Sequence, residues 1–243
     1  ELAERRLLSP TGVDLNDLEG ILGQISGPGI DLADISFEAT RSESWSLEDN
    51  IIKDGVHSIR QGAGVRAVSG EQTGFAYSDD LALNALGDAA RAARAISQQG
   101  NSGAVQLAAP STALTALYSS DDPLNSLTTE AKLAVMRQLN ERLRSADPRV
   151  REVMGSLTGQ HTARMVLNSD GTLAADLRPL VRLNVTVIVE HEGRRETASY
   201  GGGGRTGYDI LFADGKPTQI AEEALRQALV SLEADAAPAG EMT

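Results

Sequence analysis

The chemistry-bearing residues of this chain are few. His191-Glu192 begins the spacing His-Glu-x-x-His, which on a helix sets two zinc-binding imidazoles on one face with a glutamate placed as general base. The fifth position is Arg195 and the sixth is Glu196, so neither this spacing nor the wider His-Glu-x-x-x-His is completed. His191 also falls between a strand pattern and Gly193, where a solvated hairpin turn is expected. His57 and His161 stand in strand-like stretches with no ligand-spaced histidine beside them and are expected to be structural. With three histidines and no cysteine, the chain excludes disulfides, a thiolate nucleophile and cysteine-ligated zinc. No catalytic residue and no metal ligand is assigned.

The most unusual local feature is Gly201-Gly202-Gly203-Gly204-Arg205. Four glycines either make a flexible loop or expose backbone N–H groups to which another chain can come close, and Arg205 could pair with a carboxylate or phosphate. These five residues are the candidate substrate-binding site. No Gly-Lys-Ser/Thr follows, so the run is not a phosphate loop. Glu48 and Asp49 could form an acid-base dyad only by sharing a site, and adjacent strand residues point to opposite faces. Trp45, the only tryptophan, reads as core or interface ahead of substrate contact. Asp170-Gly171-Thr172 and Asp176-Leu177-Arg178-Pro179 read first as turn chemistry.

The chain has 243 residues and a formal net charge of -12, which disfavours direct nucleic-acid binding because phosphates need a cationic footprint. No apolar run approaches a membrane span, and Glu1-Leu-Ala-Glu-Arg-Arg has no signal-peptide core, so a soluble cytoplasmic protein is expected.

These candidates must be positioned by elements whose periods can be read. Asp14 caps a helical stripe of Leu15, Leu18, Ile21, Leu22 and Ile25, and Ile35, Phe37 and Ala39 then alternate as a strand. Short strands are expected over 44–47, 56–61, 64–68 and 73–77, with tight turns at Asp54-Gly55 and Ser69-Gly70 and a helix after Asp80. Thr128 caps a second helix carrying Leu133, Met136, Leu139, Asn140 and Leu143. Strands follow over 150–158 and 162–168, separated by Gly159-Gln160, and over 181–189, and a helix over 218–232 comes last. The order predicts an α+β fold, two units of antiparallel sheet with packed helices. The units are 1–100 and 128–235, with a Gly/Ser/Ala-rich linker at 101–127 and the start of a connection at 236–243.

Five stretches in order resemble the first part of TldD/PmbA-type metalloproteases, also described as modulator of DNA gyrase proteins. They are Glu43–Gly55, Gln61–Tyr77, Ser169–Leu183, Gly201–Arg205 and Ala236–Gly240. The resemblance implies a zinc metallopeptidase that acts on unstructured peptides as a dimer with an identical or related subunit. It places the zinc ligands in a carboxy-terminal domain beyond the segment that matches Ala236–Gly240. This chain would then be the amino-terminal, substrate-enclosing and assembly region, without a cofactor of its own. The competing readings are a self-sufficient peptide-binding or assembly module, and a stand-alone carboxylate enzyme for which no convincing pair is present.

Overall fold

The computed structural model describes residues 2–97, 117–235 and 240. Most of the expected linker and the Ala236–Gly240 stretch, apart from Gly240, lie outside the described residues. Contacts divide the chain into two units that interleave in sequence. Unit 1 takes in 1–41, 58–121 and 161–178, and unit 2 takes in 42–57, 122–160 and 179–243.

In unit 1, helices α1 (Leu2–Leu8) and α2 (Leu15–Ile25) open the chain. The Asp14 carboxylate accepts from the Asp17 N–H at 2.9 Å while Asp17 accepts from the Asp14 N–H at 3.0 Å, so two otherwise orphaned donors at the start of α2 are satisfied. Strands β1 (Leu32–Glu48), β2 (Ile51–Ser69) and β3 (Gln72–Ser78) form a meander, with residues 42–48 of β1 and 51–57 of β2 belonging to unit 2, and α3 (Leu83–Ser97) follows. The unit buries Leu18, Ile21, Leu22 and Ile25 of α2 with Ile35, Val65 and Leu86, the apolar stripes read from the sequence.

Unit 2 begins its helical part with a short 3-10 turn at Pro123–Asn125, capped by Asp122. Next comes α4 (Thr129–Ala146), whose Ala131 N–H donates to Thr128 Oγ1 at 3.3 Å. After it run β4 (Val150–Asn168), β5 (Leu173–His191), β6 (Arg194–Gly204), α5 (Tyr208–Leu211) and α6 (Lys216–Glu233), with β4 from 161 onward and β5 up to 178 belonging to unit 1. Val181, Leu183, Val185, Val187 and Val189 all point into a core shared with α4, α5 and α6. The strands hydrogen-bond in the order β3-β2-β1-β4-β5-β6, an antiparallel sheet carrying helices, so the fold is α+β as expected.

Two expected turns are absent because their glycines serve another purpose. Asp54-Gly55 lies inside β2, and the chain reverses instead at Asp49 and Asn50, which take positive φ of 49° and 67°. A Cβ on Gly55 would lie 2.4 Å from a Trp45 ring carbon. Gly159-Gln160 likewise lies inside β4, where a Cβ on Gly159 would lie 2.2 Å from the Tyr208 hydroxyl. Both glycines admit an aromatic ring against the strand. The turn at His191-Glu192-Gly193 is present, with Glu192 and Gly193 at φ of 50° and 82°.

Val185 is buried in the unit 2 core, so Val185→Asp should place an unpaired carboxylate there at a cost of about 4 kcal/mol, lowering the melting temperature by roughly 10 °C. An unchanged melting curve by calorimetry would show that this face does not point inward.

Candidate functional site

The glycine run is not a loop. It forms the last four residues of β6, in register with β5 as Gly201↔Asn184, Gly202↔Leu183, Gly203↔Arg182 and Gly204↔Val181. The regular pairing with β5 fixes the backbone that four glycines would otherwise leave free. On the face shared with Leu183, a Cβ on Gly202 would lie 2.9 Å from Ile220 Cδ1, so the missing side chain lets α6 close on the strand. On the other face, a Cβ on Gly201 would meet Asn184 Oδ1 at 2.2 Å, and Asn184 in turn accepts from Arg182 Nε at 2.9 Å.

β6 ends the strand order, so alternate N–H and C=O groups along it face away from β5, and among the described residues no strand pairs with them. Such an edge can take an extended chain by main-chain hydrogen bonds, whatever the sequence of that chain. Arg205 follows at once, exposed, with Nη1 3.4 Å from the Pro179 carbonyl oxygen. Beside the edge lies a groove of about 510 Å³ between β6, α5 and the start of α6. At its side, Arg226 and Gln227 donate to Glu223 and hold its carboxyl down to about 2.

The remaining sequence candidates do not converge. Glu48 lies 3.7 Å from Lys53, and Asp49 pairs with Arg144, so each carboxylate has its own cation. Asp170 accepts from the Thr172 N–H at 2.8 Å, as a turn does, while Asp176 accepts from Tyr118 and Arg178. His57 meets Trp45 edge-on, with ring centroids 5.4 Å apart, buried His161 contacts Arg6, and His191 sits at the β5–β6 turn. Among the described residues no three His, Asp or Glu side chains could hold a metal ion.

Sequence reading missed a buried ion pair of unit 2. Lys132, 2% exposed, donates to Glu43 at 2.6 Å and to the Leu124 carbonyl at 2.7 Å, and its ammonium stands 4.7 Å over the Tyr208 ring. Burial, reinforced by the Glu43 charge, pushes the Tyr208 hydroxyl far above its usual range. A signal was present: Lys132 lies one helical turn before Met136, on the stripe that Leu139 and Leu143 continue.

Compared with known families, residues 33–97 match the description PmbA/TldA metallopeptidase domain 1 and residues 122–232 match the PmbA/TldA metallopeptidase central domain. The chain belongs to the PmbA/TldD metallopeptidase family. Within the family it is 44% identical over 246 residues to a metalloprotease TldD homolog of Haemophilus influenzae, covering 97% of this chain and 50% of that protein. It is 35% identical to a TldD homolog of Buchnera aphidicola, covering 99% and 51%. The chain thus spans about half the length of the curated relatives it matches. In fold it is similar to a putative modulator of DNA gyrase from Thermotoga maritima, with a TM-score of 0.72 at 15% identity, covering 93% of this chain and 50% of that one. TldE from Thermococcus kodakarensis gives a TM-score of 0.66 at 15% identity, covering 88% and 47%.

Lys132→Met should strand a buried carboxylate and cost about 3 to 5 kcal/mol, whereas Lys132→Met combined with Glu43→Leu should recover most of that loss. Urea unfolding of the single and double variants measures this, and a double variant no more stable than the single would rule out a coupled pair.

Proposed function

We propose that this chain is the amino-terminal, substrate-enclosing and assembly region of a TldD-type zinc metallopeptidase that acts on unstructured peptides. The observation that carries the reading is the free edge of β6 at Gly201–Gly204, rigid through its pairing with β5 and stripped of side chains. An extended peptide would add to this edge through backbone hydrogen bonds, and a bare backbone imposes no sequence requirement. The Arg205 guanidinium, next in the chain, would take a peptide carbonyl or carboxylate. As the family resemblance implies, zinc and bond cleavage would reside in the part of the relatives that this chain does not span.

The partner would be an identical or related subunit, and the setting the cytoplasm. Among the described residues no helix is long and apolar enough to cross a membrane, and the net charge of -12 opposes direct contact with nucleic acid. The same edge would serve a peptide-binding or assembly module without catalysis, which is the second reading.

Gly204 is the position at which to test the edge, because a Cβ there meets only Thr206 Cγ2, at 3.8 Å, whereas one on Gly202 would press on Ile220. In the full-length protein, Gly204→Val with Arg205→Ala is expected to slow cleavage of casein-derived peptides by about tenfold, roughly 1.4 kcal/mol, with zinc content and melting temperature unchanged. Cleavage at the parent rate would remove the edge from substrate handling, and a full-length protein that binds peptide without cleaving it would favour the second reading. The isolated 243-residue chain is expected to retain no stoichiometric zinc after dialysis, and one tightly held zinc per chain would overturn the assignment of the metal.

A further inference from the structure

The groove beside β6 has a chemistry of its own. Its floor is apolar, with Leu211 and Ile220 buried, and its sides carry two apolar side chains left open to solvent, Tyr200 at 43% and Ile210 at 52% exposure. Two charged residues line it. Glu223 is neutralised by the two hydrogen bonds from Arg226 at 2.7 Å, whereas Lys216 has no carboxylate partner among the described residues. Lys216 is also the first residue of α6, an 18-residue helix with no side-chain cap and no acidic residue in its first turn, so the positive end of the helix reinforces the ammonium. An uncompensated cation beside an apolar trough, in a chain of net charge -12, calls for a ligand that is apolar at one point and anionic close by.

We propose that this groove selects, among extended peptides added to β6, those that place a bulky apolar side chain against Ile210 and Ile220 and a carboxylate at Lys216. The inference rests on the peptide-handling reading of β6 and adds a preference to it. Side chains of an added strand alternate between its two faces, so every second residue turns toward the face that Gly202 shares with Ile220, where the groove lies. The carboxylate could be the C-terminus of the peptide or an Asp or Glu side chain. Both offer the same chemistry to Lys216.

The test uses the 243-residue chain and fluorescein-labelled unstructured decapeptides, with binding read by anisotropy. One peptide ends in Leu-Gly with a free acid, a second is its C-terminal amide, a third replaces the leucine by serine, and a fourth is the amide with an internal aspartate after the leucine. The acid is expected to bind about three- to fivefold more tightly than the amide, and the serine peptide about tenfold more weakly than the leucine peptide. Lys216→Gln should erase the acid preference without changing amide affinity, and Ile210→Ser should erase the leucine preference, with circular dichroism confirming that both variants fold. The fourth peptide identifies the source of the carboxylate: affinity matching the acid shows that a side-chain carboxylate serves as well as the C-terminus, and affinity matching the amide restricts the preference to the C-terminus. Equal binding of all four peptides leaves the edge reading standing and overturns this inference, as does an acid preference that survives Lys216→Gln. No binding of any peptide at millimolar concentration overturns both.

Discussion

A missing Cβ sets how closely another group can approach a strand, and within each unit this constraint decides where neighbouring side chains and helices lie. Trp45 occupies the space above Gly55, the Tyr208 hydroxyl that above Gly159, and Ile220 that above Gly202, while a Cβ on Gly74 would lie 1.9 Å from the Ala93 carbonyl oxygen of α3. Glycine weakens a strand through its entropy, and the close packing it admits offsets that loss with buried apolar area. At β6 the same substitution does two things at once. It brings α6 against the strand, which forms the groove, and it leaves the outer backbone of the strand unshielded.

The Glu43–Lys132 pair places a second constraint on unit 2. Two charges are taken out of water and returned to balance by each other, by the Leu124 carbonyl and by the face of Tyr208. Such a pair adds little net stability over an apolar substitute, but either member alone is costly, so it penalises any packing of α4 that does not bring Lys132 to Glu43. Its contribution lies in specifying one arrangement of α4, β1 and α5.

The chain belongs to the PmbA/TldD metallopeptidase family and spans about half the length of its curated relatives. Peptide recognition by main-chain pairing needs only a rigid free edge, and it can reside on a different part of a protein from the metal that breaks the bond. In unit 2 the edge of β6 has a fixed backbone and low side-chain cover, and the groove beside it carries Lys216, which has no carboxylate partner among the described residues.

The sequence by itself determined the α+β class, the capped starts of α2 and α4, the inward row from Val181 to Val189 and the turn at Glu192-Gly193, because each depends on periodicity or on side-chain chemistry within a few residues. It also marked Gly201–Arg205 as unusual. Tertiary structure decided what that run is, since a string of glycines has no period and only its partner β5 makes it a strand. The same reason explains Asp54-Gly55 and Gly159-Gln160: as dipeptides they suit turns, and only the rings of Trp45 and Tyr208, 10 and 49 residues away along the chain, show that they serve packing. Lys132 and Glu43 lie 89 residues apart, and no local pattern can reveal that two distant charges cancel. The groove likewise exists only where α5 and α6 close on β6, because concavity is a property of elements brought together in space.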